Sequence, residues 1–280
     1  MKLHSIIFFT LSVFPASISL TIPVVSYAAV PSQSRVPASS PANSPANSLS
    51  SSLASSLTSS LTSSLAKTKA ALNMPTDERL EELQDQGPQG YRNLVEIMKD
   101  DGLSVESRWR AVTAAAEVGG DESIPDLEYA LSSKDWFLRN AGLIGAQNVD
   151  RQLAINWAKK LLDDKALVVR VAAVSVLDEL NDKSSIMLLW KTLAARENFQ
   201  GRESLYIRRR IAEALTHLES PGSEGRFIAL LKDPDDTLHP ASIVALERLT
   251  GLRFGADDHD SLPVRRSRWL KWWKERSLGH

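Results

Sequence analysis

Five segments of this chain align at a period of 31 residues. They begin at Arg108, Arg139, Arg170, Arg208 and His239, at intervals of 31, 31, 38 and 31 residues. The long interval is one period plus a seven-residue insertion near Glu197 to Ser204. A fixed period of this length means that one structural unit is used repeatedly.

The columns of the alignment define the unit. Three residues after each anchor stand Ala111, Gly142, Ala173, Ile211 and Ser242, which are mostly small. Four residues after stand Val112, Leu143, Val174, Ala212 and Ile243, and seven after, Ala115, Ala146, Leu177, Leu215 and Leu246. Apolar positions at this spacing form one face of an α-helix. Nine residues after the anchor every position is polar: Glu117, Asn148, Glu179, His217 and Arg248. A second helix precedes each of these, marked by Leu131, Leu162, Leu193 and Leu231. Acidic turns join the two, including Lys134-Asp135, Asp163-Asp164-Lys165 and Asp233-Pro234-Asp235-Asp236. Gly119-Gly120 and Pro221-Gly222 break the chain between units.

One helical hairpin cannot bury both apolar faces, but a stack of them can. The expected fold is therefore all-α, a right-handed α-solenoid of about five hairpins behind a disordered N-terminal segment. An arginine at a helix N-terminus opposes the helix dipole, so its recurrence needs a reason. A charge-assisted bond to the acidic turns supplies one. Arg108, Arg139, Arg170 and Arg208 are thus expected to be structural anchors.

The stretch Asp163-Asp164-Lys165-Ala166-Leu167-Val168-Val169-Arg170-Val171-Ala172-Ala173-Val174-Ser175-Val176-Leu177 resembles the short HEAT-like repeat found also in phycobiliprotein lyases. Leu205 to Leu218 is the next best match, and the resemblance covers about residues 90 to 250, with a half-repeat at Thr76 to Gln86. His239-Pro240 departs from the arginine pattern. The resemblance implies a superhelical interaction surface and an armadillo-like helical fold. It implies neither an enzyme nor chromophore lyase activity.

Residues 1 to 28 read as a signal peptide. Lys2 is followed by an apolar run, and Ser26-Tyr27-Ala28 places small residues at the cleavage site. Export to the periplasm or the medium follows, as for a bacterial envelope or secreted protein, after cleavage near Ala28. Residues 29 to 72 read as a disordered linker. Positions 31 to 66 hold fifteen Ser, four Pro and one charged residue, Arg35, too little apolar surface to offset the ordering entropy. Leu49, Leu53, Leu57, Leu61 and Leu65 recur every four residues there and drift around a helix. The repeat domain spans 73 to 255 and a basic, Trp-rich capping helix 256 to 280.

The chain of 280 residues has no cysteine, which excludes disulfides, Cys-ligated metal centres and a Cys nucleophile. No nucleophile elbow, phosphate-binding loop or His-Glu-x-x-His occurs. Asp257-Asp258-His259-Asp260 lacks the spacing of a calcium loop and reads as a solvated turn. No catalytic residue, metal or cofactor is expected. The net charge of −1 hides a segregation. Residues 77 to 260 carry −10 by difference, and residues 261 to 280 carry +5. An acidic array repels phosphate backbones, so no nucleic acid is expected as a ligand.

These features point to an exported, non-enzymatic, monomeric scaffold that binds a protein partner. The partner-binding candidates are Trp109, Arg110, Glu179, Arg209, Arg210 and His217, from polar columns beside the buried face. Trp and Arg rank high as interface anchors. Two alternatives stand beside this. One is an envelope- or membrane-surface module that docks through the basic residues of 261 to 280, next to Trp269, Trp272 and Trp273. The other is a lyase or hydrolase with a site in the groove.

Overall fold

The computed structural model of the chain describes residues 45–254 and 260–278. The signal-peptide segment, most of the Asp257–Asp260 cluster and His280 lie outside them. The chain falls into two units, Met1–Leu49 and Ser50–His280, and the second carries the fold described here. That fold is all-α. Among the described residues the only strands are β1 (Phe199–Gln200) and β2 (Glu203–Ser204), an antiparallel pair formed by the insertion.

The repeat resolves into consecutive helices. The first helices of successive units are α3 (Gly87–Lys99), α5 (Ile124–Leu131), α7 (Arg151–Leu161), α9 (Ile186–Leu193) and α11 (Glu224–Leu230). The second helices are α4 (Val105–Gly119), α6 (Trp136–Val149), α8 (Leu167–Glu179), α10 (Tyr206–Leu218) and α12 (His239–Thr250). Local chemistry sets their ends. Ser104 caps α4 by accepting from the Ser107 N–H, and Asp150 caps α7 through the Leu153 N–H. Gly251, left-handed at φ 69°, ends α12.

Each first helix packs on the second helix of its own unit. The second helices pack in series: α4 on α6, α6 on α8, α8 on α10 and α10 on α12. All fifteen residues of the +3, +4 and +7 columns are buried. So are Leu131, Leu162, Leu193 and Leu231 of the first helices. The core is one continuous seam along this row.

The small +3 column lets helices approach closely. A Cβ on Gly142 would stand 3.0–3.1 Å from Leu131 Cγ, Ala130 Cβ and the Leu131 backbone nitrogen. That backbone cannot yield without moving α5. Gly142→Val is therefore expected to destabilise the fold by about 2–3 kcal/mol through overpacking. Equilibrium urea denaturation checks this, and an unchanged midpoint would refute it.

The N-terminal side departs from the sequence expectation. Residues 29–72 read as disordered linker, yet Pro45–Ala71 form one helix, α1, followed by α2 (Thr76–Asp85). The reason is docking at the C-terminal end of α1. Thr68, Ala71 and Leu72 are buried. Asn93 Nδ2 donates to Ser64 Oγ and Thr68 Oγ1, each at 2.9 Å, and Arg110 donates to the Leu72 carbonyl at 3.0 Å. These contacts hold a helical end from which the Ser-rich turns propagate without a new nucleation step. Of the leucines whose side chains are described, Leu57 and Leu61 are 64% and 54% exposed, and Leu65 packs against the seam.

The folded region thus begins before residue 73. At the other end α13 (Leu262–Leu278) packs on α12 and α11. None of the helices among the described residues is long and apolar enough to cross a membrane.

Candidate functional site

Two polar ladders run along the row of second helices, and together they hold every candidate side chain except Trp109 and Arg110. The first ladder is made of the anchors. Arg139 donates to the Ser133 and Lys134 carbonyls of its own turn, both at 2.9 Å. It also forms a bidentate pair with Asp164 of the next turn, at 2.6 and 2.7 Å. Arg108 stands between Asp101 at 2.9 Å and Asp135 at 3.5 Å. Arg208 reaches Asp233 at 2.7 Å and Asp235 at 3.3 Å, with its guanidinium over the Phe199 ring.

Arg170 has no next-turn carboxylate to meet, because the insertion displaces the turn. Asn198 Oδ1 accepts from its Nε at 3.0 Å instead, and the Glu197 carbonyl accepts from Nη2 at 3.0 Å. His239 takes the anchor place in the last unit and approaches the Asp233 carbonyl at 3.1 Å.

The charges in this ladder are mutually satisfied. Burial pushes the Asp164 carboxyl up, but the Arg139 guanidinium and the Ala166 N–H outweigh it and hold it below the ordinary carboxylate range. Asp235 is lowered in the same way, against its burial, by Ser204, Thr237 and Arg208.

The second ladder contains four of the six partner-binding candidates. In the last three units the +9 side chain reaches back to the +8 residue of the unit before. Glu179 accepts from Gln147 Nε2 at 2.6 Å. His217 Nδ1 lies 2.9 Å from Asp178 Oδ1. Arg248 Nε donates to the Thr216 carbonyl at 2.7 Å. Arg210 lies beside the middle rung, 2.6 Å from Glu213 and 3.8 Å from Asp178. Arg209 pairs with Glu213 at 2.8 Å. Burial raises the Glu213 carboxyl, but the two arginines more than offset this and leave it lowered. Glu179, Arg209, Arg210 and His217 thus meet in one patch over α8 and α10.

Trp109 and Arg110 lie apart from that patch, on α4. The Trp109 indole N–H donates to Asn140 Oδ1 at 3.2 Å. Arg110 is engaged by Leu72, Asn73 and Glu106. Both are half-buried and committed to neighbouring helices, so neither stands free on a surface. The patch also includes Asp178, Glu213 and Gln147, which were not singled out from the sequence. For Gln147 and Asp178 the signal was present: a second polar residue directly precedes the +9 column in four of the five units.

A cleft of about 680 Å³ opens beside α5, lined by Asp101, Arg108, Glu128, Tyr129 and Asp135 among others. Two cations line it, Lys134 and Arg108, and Arg108 is the ion-paired anchor of the first ladder. Among the described residues no group of three or more His, Asp or Glu is placed to hold a metal ion.

The C-terminal tryptophans turn inward. Trp269 is 0% exposed, with Phe254 and Trp272 edge-on at 4.7 and 5.2 Å. Trp273 lies against Gly225 of α11. Arg265 pairs with Glu247 at 2.6 Å. Glu247 is the +8 residue of the last unit, so α13 closes the second ladder where a further unit would stand. No protein-family model matches this chain, and no curated protein matches it in sequence.

Proposed function

We propose that this protein is an exported, non-enzymatic scaffold, a right-handed α-solenoid of about five HEAT-like hairpins that binds a protein partner. The observation that carries this reading is the pair of ladders, in which equivalent side chains of successive units make equivalent contacts. That is the stacking chemistry of a solenoid. It ties the arginines, aspartates and imidazoles to neighbouring helices rather than converging them on a reacting atom. The resemblance to HEAT-like repeats and the signal-peptide pattern of residues 1 to 28 support the assignment and the exported location.

Within the patch over α8 and α10, Glu179, Arg209 and His217 are exposed, and Arg209 and His217 each have more than half of the side chain open to solvent. Arg110, Arg210 and Trp109 are half-buried and serve mainly to hold helices together. Arg209→Glu combined with His217→Ala is expected to leave folding unchanged and to lower partner capture by about tenfold or more. Cross-linking in exporting cells, comparing the wild type with this variant, measures it. Equal recovery of every protein by the two chains would reject the patch, and recovery of none by the wild type would reject the scaffold.

A second reading, contact with an anionic envelope surface, rests on the exposed Arg268, Lys271, Lys274 and Arg276. Trp269 is buried and Trp272 and Trp273 are partly covered, which takes most of its apolar half and leaves a mainly electrostatic contact.

A further inference from the structure

The two ends of the row carry opposite charge. α2 packs on α3 and α4, at the start. Its exposed residues include Asp77, Glu78, Glu81 and Asp85 and no base. Glu82 on the same helix is partly covered and already paired with Lys67 at 2.9 Å. α13 packs on α12 and α11, at the finish. Its inner face is spent on capping. Its outer face presents Arg268, Lys271 and Lys274 at helical spacing, with Glu275 the one acid. Arg268 is paired with Asp260 at 2.5 Å, whereas Lys271 is only loosely held by Glu275 at 3.9 Å.

We propose that the outer face of α13 docks on α2 of a second copy of this chain, giving a salt-sensitive head-to-tail assembly. Three observations favour this occupant. The two faces are complementary in sign. They belong to one chain, so they meet at equal concentration. They also lie at opposite ends of the row, so one copy cannot easily satisfy both with itself. The contact joins two different surfaces and is heterologous, so it propagates into a chain of copies unless its rotation closes a ring. Val264 and Leu278, both exposed on α13, and Met74, exposed just before α2, place apolar atoms beside the charged rows. The inference extends the monomer expected from sequence. It rests on the row of hairpins proposed above but not on the patch over α8 and α10.

Sedimentation velocity on the full chain tests it. At about 20 mM salt the wild type is expected to show concentration-dependent species larger than a monomer, which disperse near about 0.5 M salt as the charges are screened. Lys271→Glu with Lys274→Glu places like charges opposite α2, and should weaken association by about a hundredfold or more. Glu78→Lys with Glu81→Lys should do the same from the other face. Mixing the two double variants restores opposite charge at each junction and should restore association.

All four substituted side chains, two in each variant, are exposed, so helical circular dichroism should match the wild type. A wild type that stays monomeric at low salt overturns the proposal. So does association that survives either double variant, or mixing that restores nothing. Loss of this association with intact cross-linking through Arg209 and His217 would leave the partner reading standing. The reverse result would separate the two the other way.

Discussion

Replacing Arg139 with alanine is expected to cost about 3–5 kcal/mol of folding free energy, because it strands a buried carboxylate. The side chains of Arg139 and Asp164 are only 8% and 6% exposed. Their bidentate geometry leaves little of the Asp164 carboxylate for water. Alanine would also strip the Ser133 and Lys134 carbonyls of their donor. Arg139→Lys should recover only part of the loss, since an ammonium cannot span both oxygens and both carbonyls.

The effect has a pH signature. Asp164 is held below the ordinary carboxylate range when folded. Its contribution is therefore fully present above the unfolded value of about 4, and is lost as pH falls through the lower folded value. Urea denaturation of wild type and Arg139→Ala at neutral pH should show the full gap, and the gap should shrink in acid below about pH 4. Asp164→Asn should flatten that dependence. A gap under about 1 kcal/mol, or one that does not move with pH, would show that the pair is a surface-type ion pair of little weight.

Trp269→Ala is expected to be as damaging, at about 3–5 kcal/mol. The ring is fully buried at the junction of α12 and α13 and stacks edge-on with Phe254 and Trp272. Without it α13 has no other wholly buried side chain to hold it in place. The exposed end of the row would then face water. The indole N–H has no hydrogen-bond partner among the described residues. Trp269→Phe keeps most of the ring and removes that orphaned donor, so its cost should be within about 1.5 kcal/mol. Thermal denaturation separates the two. If Trp269→Ala left stability unchanged, the tryptophans would not be capping the row.

Much of the fold is legible in the amino-acid order because helical periodicity is a local property. Val112, Leu143, Val174, Ala212 and Ile243 sit in one column of the alignment, and all five are fully buried. The arginine column announces itself by being electrostatically wrong for a helix start, and the compensating carboxylates lie in the nearby turns. Arg170 shows the limit. The seven-residue insertion moves the expected acid away, and Asn198 accepts in its place.

The site was less legible. Polar columns next to the apolar face read as outward, which is what makes Trp109, Arg110 and Arg210 attractive as partner contacts. Stacking a second hairpin against the first turns those columns into seams.

The amino-acid sequence by itself determined the repeat length, the apolar face of each helix, the anchoring arginines and the segregation of charge. These are carried by residues within one turn or one hairpin of each other. Tertiary structure alone decided that Thr68 and Leu72 dock on Asn93 and Arg110, which makes the Ser-rich stretch helical. It also decided that His217 meets Asp178, and that the tryptophans of α13 face inward. Each of those outcomes depends on the offset between neighbouring units. That offset is set by the volumes packed between helices, and it has no counterpart in the spacing of residues along the chain.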